Sequence, residues 1–409
     1  MLEKHGQKSQ LHFHSKVTAD SRVFRGVHPL VAHESHQKNI AKLLNNALQL
    51  LPIQPSEAAQ QANALYIEQG TEGRIRTKPD FVTVTRGPGM FSCLSAGLDT
   101  AKGLAVAWQV PLIGVNHMQA HALTPRLVSS IEASNKTSNL EPKFPFVSLL
   151  VSGGHTMLVH SSGLCEHRVL ATTIDIAIGD FIDKCARDIV PKDSLEAGRD
   201  VMYGALLEKF AYPNGREDYT YVPPETVKDE FLVNETGYEW RLIPPLSKIS
   251  RKNLADSLRF SYSGLGSIVS QAMLENPNMP ITERRAIARE TMRVAFEHLA
   301  SRILIALGDN PELKDVKTVV VSGGVASNQF LKHVLRLFLD KRGYKGLQLV
   351  FPPPNLCTDN AAMIAWTGME MWEAGWRSDL SIRPIKKWST DPWGADGGIL
   401  GAEGWIFDQ

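Results

Sequence analysis

Cysteine is scarce in this chain of 409 residues: Cys93, Cys165, Cys185 and Cys357 are the only four, and none stands in Cys-x-x-Cys spacing. That argues against a cysteine-based zinc site and fits a reducing compartment. An excess of one charge is also lacking, since 44 Lys and Arg face 43 Asp and Glu. No global basic field advertises nucleic acid, so RNA contact has to come from local patches. Long apolar runs are missing too. None reaches the roughly 18 residues of a membrane-spanning helix, and no membrane partner is expected. The first residues, Met1-Leu2-Glu3-Lys4-His5-Gly6, show neither a secretory apolar core nor a clear Arg/Ser-rich transit segment.

The chain does have the tetrapeptide Val-Ser-Gly-Gly, twice, each time at the end of an apolar strand: Val151–Gly154 and Val321–Gly324. Paired glycines at a strand end let backbone amides turn toward an anion without a Cβ in the way. One such pair is as well explained by a simple turn; two in matching context favour a nucleotide site. The two copies lead into different elements. Met157-Leu158-Val159 resumes a strand at once, so the first pair makes a hairpin, whereas Ala326–Leu339 after the second has helical spacing.

Elsewhere, apolar residues at helical intervals mark 34–51, 94–108, 281–307 and 362–372, while Asp80–Thr85 and Pro111–Val115 read as strands. This alternation predicts an α/β lobe with a partly parallel sheet. A polar stretch over 129–143 reads as an exposed insertion. The expected division is a first lobe of 1–143 completed by about 358–409, and a second of 144–357. The second carries a long surface excursion over about 211–255, rich in Tyr, Pro and charge.

Several groups carry chemistry. His117 and His121 fall one helical turn apart, the spacing of a two-histidine metal site, although a capped helix with two solvated histidines fits as well. A zinc protease would place Glu after the first histidine, and Met118 stands there, which disfavours that hydrolysis. Asp359, at the start of a helix, is either a third ligand in a two-His, one-carboxylate set, or an N-cap, or both. Ser152-Gly153-Gly154-His155-Thr156 offers amides, hydroxyls and an imidazole in one turn. Gly323 and Gly324 precede a helix N-terminus that suits an anion, with Asn328 a candidate cap. Asp183 suits ribose hydroxyls; the alternative for the cluster of Asp175, Asp180 and Asp183 is a solvated helix start. Six histidines among the first 36 residues fit no closed ligand set.

Taken together, the chain resembles the tRNA threonylcarbamoyladenosine (t6A) transferase family in its bacterial and mitochondrial branch. The matching stretches are Arg86–Gly89, His117–His121, Leu150–Thr156, Asp183-Lys184, Phe260–Leu265, Ser322–Asn328 and Cys357–Asn360, in family order. His155 resembles the bacterial and organellar branch in particular. The resemblance implies a two-lobed actin/hexokinase-like fold, a duplicated ribonuclease-H-like α/β architecture, with a nucleotide in the cleft. It implies transfer of the threonylcarbamoyl group from threonylcarbamoyl-adenylate to N6 of the adenosine 3′ of the anticodon, with release of AMP. It implies one divalent metal ion, iron or zinc rather than Mg²⁺, on His117, His121 and Asp359. Leu150, Val151, Ser152, Gly153, Gly154, His155, Asp183, Gly198, Gly323, Gly324 and Asn328 would bind the adenylate. No catalytic residue is assigned beyond the metal set. Implied partners are the tRNA anticodon stem-loop, a synthase supplying the adenylate, and a second copy in a homodimer. The expected location is mitochondrial, otherwise cytoplasmic.

Two departures stand out. The family's first phosphate hairpin, close to Glu-Thr-Ser-Cys-Asp-Asp-Thr, is not in the chain, so a truncated start is expected. The Pro-Gly-Gly-Pro stretch is replaced by Val190–Gly198, with Gly198 as the nearest equivalent. Two other readings compete: a small-molecule kinase or ATPase on the same fold, which the histidine pair speaks against because such kinases hold Mg²⁺ through carboxylates and water, and an inactive remnant that still dimerises or binds tRNA. Candidate tRNA patches are Lys248, Arg251, Lys252 and Arg259, then Arg284, Arg285, Arg289 and Arg293.

Overall fold

A computed structural model describes residues 1–20, 28–53, 64–69, 72–133, 139–196, 203–247 and 258–408. Two compact units divide the chain. The first comprises Met1–Lys143, Gly163–Arg168 and Asp359–Gln409; the second comprises Phe144–Ser162 and Val169–Thr358.

The chain opens with a two-stranded antiparallel ribbon, β1 (Leu2–His5) and β2 (Lys8–Leu11). Helix α1 (Pro29–Leu48) starts on a proline, whose missing N–H is no loss in a first turn. A second ribbon comes next, β3 (Ala64–Gln69) and β4 (Glu72–Thr77). Strand β5 (Val82–Gly87) then leads into α2 (Phe91–Trp108), which buries Leu94, Leu98, Ala101 and Ala105, spaced four, three and four apart as one helical stripe. It ends where Gln109 turns left-handed at φ 53°. Strand β6 (Leu112–Asn116) is buried throughout and runs straight into α3 (His117–Glu132).

The second unit is laid down next. β7 (Phe146–Val151) and β8 (Thr156–Ser161) form an antiparallel hairpin, succeeded by β9 (His167–Thr173) and α4 (Ile178–Ile189). Then come α5 (Lys192–Glu196), α6 (Tyr203–Ala211), β10 (Arg259–Phe260), α7 (Ser263–Glu275) and α8 (Ile281–Asp309). β11 (Thr318–Ser322), α9 (Gln329–Lys341) and β12 (Gln348–Val350) complete it. Its sheet has the order β10-β9-β8-β7-β11-β12, with β11 parallel to both β7 and β12. A single apolar core joins Val147, Leu149, Val151, Phe181, Phe260, Leu299, Val321 and Leu335. α8 is buried on nearly all faces over Ile287–Ala306, so it lacks the polar side of a surface helix.

The chain returns to the first unit with α10 (Ala361–Glu373) and the strands β13 (Trp376–Ser378) and β14 (Trp405–Phe407). Its sheet runs β14-β13-β6-β5, with β5 and β6 parallel and the rest antiparallel.

One expectation is revised. The stretch after residue 211 is not a simple surface excursion. Its described part is irregular, yet Trp240 and Leu242 belong to the core. Glu230 is buried, pairs with Arg342 and accepts from the Ser301 hydroxyl at 2.6 Å. Burial of a side chain every few residues anchors a segment that has little hydrogen-bonded ladder of its own.

Candidate functional site

In the first unit, β6 delivers the chain to α3 at Asn116, whose side-chain oxygen accepts from the amides of Met118 and Gln119 at 2.9 and 3.2 Å. That cap fixes the first helical residue as His117 and places His121 one turn on, over the same face. The two rings lie edge to face, with centroids 4.7 Å apart. Both turn Nε2 toward one oxygen of Asp359, at 3.3 Å from His117 and 3.0 Å from His121. His121 is buried and His117 mostly so, which rules out a pair of solvated histidines. Asp359 is not the helix cap either: Asn360 takes that role on α10, accepting from Met363 N at 3.0 Å.

Burial lowers the His121 imidazole below its ordinary value, against the opposing pull of Asp359. Hydrogen bonds from His117 and His121 hold the Asp359 carboxyl far below the usual carboxylate range. A neutral His121 imidazole and an ionised Asp359 carboxylate are protonation states that a cation needs from its ligands. The three donor atoms lie within 4.8 Å of one another, and no other such group of three occurs among the described residues. His121 Nδ1 is buried with no hydrogen-bond partner, so only Nε2 faces a donor set. Two imidazoles with one carboxylate suit iron or zinc better than Mg²⁺, which prefers oxygen ligands and water.

In the second unit, the two Val-Ser-Gly-Gly copies lie side by side. β11 pairs with β7 in parallel, with Ser322 opposite Leu150, so both strands end at the same edge of the sheet. Parallel strand ends are where open α/β sheets offer backbone to ligands. Leu150 and Val151 are buried, so only their backbone can reach a ligand. Ser152 N donates to His155 O at 2.9 Å, closing the hairpin. The Ser152 hydroxyl accepts from the amides of Gly154 and His155 at 3.3 and 3.0 Å.

The glycines have separate reasons to be glycine. Gly323 sits at φ 106°, and a Cβ there would strike the Val151 carbonyl. At Gly179, in the first turn of α4, a Cβ would lie 2.6 Å from Ser152 O and 2.7 Å from Gly153 N. Gly153, Gly154 and Gly324 are different. A Cβ at any of them would meet nothing within 4 Å, and none has a positive φ. The fold does not need glycine there, and the open space lies where a ligand would approach the backbone.

Other expected residues have prior partners. Asn328 caps α9, its side-chain oxygen accepting from Leu331 N at 2.8 Å. The helix N-terminus after Gly324, expected to suit an anion, already holds one: Glu208 accepts from the amides of Gln329 and Phe330 at 2.7 and 2.9 Å. That residue escaped the sequence reading, because nothing local links it to a helix more than a hundred residues on. Asp183 is half-buried, and burial raises its carboxyl to about 6, although Gly204 N donates to it at 2.9 Å. Burial would also raise Asp175, but bonds from the Ser261 and Ser263 hydroxyls and the amides of Tyr262 and Ile176 hold it at about 2. Asp175 thus organises the Phe260–Leu265 stretch and the start of α7. Gly198 lies outside the described residues, as do Lys248, Arg251 and Lys252.

Three arginines of the expected tRNA patches are bonded within the protein. Arg293 is held between Glu290 and Glu297 at 2.6 and 2.5 Å. Arg284 donates to the carbonyls of Pro277, Met279 and Ile189, and Arg289 to that of Ala211. A cavity of about 430 Å³ lined by Tyr212, Tyr221, Arg289, Arg293 and Phe330 includes none of the expected ligand residues.

Comparison with known proteins gives a consistent result. A family model described as TsaD, tRNA N6-adenosine threonylcarbamoyltransferase, matches residues 74–366. A Schizosaccharomyces pombe protein named tRNA N6-adenosine threonylcarbamoyltransferase, mitochondrial, is 37% identical over 388 residues, covering 94% of this chain and 78% of that protein. The tRNA N6-adenosine threonylcarbamoyltransferase of Symbiobacterium thermophilum is 32% identical over 364 residues, with 89% and 85% covered. A probable mitochondrial form from Arabidopsis thaliana is 32% identical over 365 residues, with 86% and 62% covered.

Proposed function

This chain belongs to the tRNA N6-adenosine threonylcarbamoyltransferase family, and from that membership we propose that it transfers a threonylcarbamoyl group from threonylcarbamoyl-adenylate to N6 of the adenosine 3′ of the anticodon. The observation that carries this reading is the extent of the family match: residues 74–366 include every signature stretch from Arg86 to Asn360. The reaction is an acyl transfer. The amine nitrogen bonds to the carbamoyl carbon, the bond from that carbon to the phosphate oxygen breaks, and AMP leaves while the amine loses a proton. An aromatic amine is a weak nucleophile, so the protein contributes chiefly by positioning.

His117, His121 and Asp359 would hold one divalent metal ion, iron or zinc by the nature of the donors. Bound there, the ion supplies Lewis acidity toward phosphate and carbonyl oxygens. The backbone at Leu150, Val151, Gly153, Gly154, Gly323 and Gly324, with Ser152 and His155, would receive the adenylate. Three glycines that the fold leaves facing open space support that assignment. Asp183, when ionised, accepts from ribose hydroxyls. Asn328 serves the site by fixing the start of α9. A separate synthase supplies the adenylate, the protomer pairs with a second copy, and the naming of relatives as mitochondrial supports that location.

The test is t6A formation on a synthetic anticodon stem-loop RNA, read by nucleoside mass spectrometry with purified protein, adenylate and either metal. Product from wild type and a loss of at least about a thousandfold in the His117→Ala/His121→Ala variant are expected. No product from wild type, or full activity in that variant, would sink the proposal.

A further inference from the structure

Between β13 and β14 the chain leaves the sheet and crosses to the end of β5, as the segment Arg383-Pro384-Ile385-Lys386-Lys387. Buried residues pin it at both ends. Ile382 packs with Leu98 and Leu112, and Trp388 is buried with its ring nitrogen donating to Gly398 O at 3.1 Å. Between these anchors it is bonded to the Arg86–Gly89 turn. Ile385 N donates to Arg86 O at 2.8 Å, Gly89 N to Lys386 O at 3.2 Å, and the Arg86 side chain to Arg383 O at 3.1 Å. That turn is in register with the metal-ligand helix, because Gly87 pairs with Asn116 and the next residue is His117. Two strand spacings, about 10 Å, separate the segment from the start of α3.

The side chains of Arg383, Lys386 and Lys387 are exposed. None of the three forms an ion pair or side-chain hydrogen bond with another described residue. Three acidic residues of the same tail accept from amides of their own turns. Asp379 accepts from Ser381 N, Asp391 from Trp393 N, and Asp396 from the amides of Ser389 and Gly398. Beneath the segment lies another cation, Arg86, which is buried, stands 5.5 Å from the Trp388 ring centroid and has Glu403 as its opposing charge among the described residues. Exposed lysines usually do no more than keep a surface solvated. Here the backbone that carries them is held by three hydrogen bonds and two buried anchors, so the ordering cost of binding is confined to the side chains, and the strip borders the donor set of the reaction.

We propose that the Arg383–Lys387 strip is the surface on which the phosphate backbone of the RNA substrate rests beside the His117–His121–Asp359 site. The proposal rests on the transferase reading, to which it adds a docking surface. Single-stranded or loop RNA would be held there by charge, without base recognition.

The experiment measures affinity for a fluorescent anticodon stem-loop RNA, by anisotropy across a KCl series, alongside t6A formation. For Arg383→Ala/Lys386→Ala/Lys387→Ala, a rise in Kd of at least about tenfold at roughly 0.1 M salt is expected. The slope of log Kd against log salt should shrink by about 2, which is three contacts at about 0.7 each on single strands. Lys386→Arg/Lys387→Arg should bind as wild type. If the triple variant loses its melting transition, Lys386→Gln/Lys387→Gln replaces it, with a rise of at least about threefold expected. Wild-type affinity and slope in the neutralised variant overturn the strip, as does a variant that loses only binding to phosphatidylserine vesicles. Because RNA binding is read directly, failure of the strip is distinct from failure of the transferase reading, which shows as absent t6A from wild type.

Discussion

At the scale of single residues, the glycines of the paired strand ends separate into those the fold requires and those it does not. Gly179→Ala would drive a Cβ into the backbone of Ser152 and Gly153. It should lower unfolding free energy by about 1–3 kcal/mol in urea titration, as overpacking does. Gly154→Ala meets nothing. It should leave stability within about 0.5 kcal/mol yet weaken AMP binding at least tenfold by calorimetry; unchanged AMP affinity would remove the loop from the ligand site. Asp183 gives a pH test. Its carboxyl titrates near 6, raised by burial and by Asp180, and lowered by Gly204 and Arg187. On the proposed role of the ionised carboxylate as ribose acceptor, AMP affinity should fall as pH drops from 7 through 6, and Asp183→Asn should be weaker and flat. With a folded value above the unfolded one, ionisation also opposes folding: stability should decline as pH rises from the ordinary carboxylate range through 6, and the variant should lose that decline.

At the scale of elements, helix starts explain several signatures. α3 begins at His117 because Asn116 caps it, α9 begins where Asn328 and Glu208 take its first amides, and α7 begins on Asp175. Asp175 is exposed, so its value as an ion is screened; its hydrogen bonds are the larger part. Its carboxyl is depressed to about 2, so its contribution is present above the unfolded value of 3.8 and is lost as pH falls toward 2. Asp175→Asn should therefore be less stable than wild type at pH 7, by about 1 kcal/mol on the scale of a lost cap. The difference should close between pH 4 and pH 2 in urea titrations. A difference that persists at pH 2 would show that shape, not charge, holds the α7 start.

At the scale of the whole molecule, near neutrality sets how RNA can be held. With a net charge of +1, no long-range field assists binding, and the salt dependence should reflect a few local contacts. A log Kd against log salt slope of about 2 to 4 in magnitude is expected for the anticodon stem-loop; a value near 10 would reveal many more phosphate contacts than this surface provides. The alternation of helical and strand patterns, the hairpin after Gly154, the helix after Gly324 and the one-turn spacing of His117 and His121 were all legible in the sequence. Each depends on residues within a few positions of one another, where periodicity and glycine placement act directly on the backbone. Tertiary structure alone brought Asp359 to within 3.0 Å of His121 across 238 residues, set the two Val-Ser-Gly-Gly strands side by side, put Glu208 on a distant helix start, and drew Arg293 from the surface into a glutamate pair. Those outcomes arise from strand order, parallel crossover and burial. A linear pattern does not carry them, because many pairings bury the same apolar residues and only the assembled sheet selects among them.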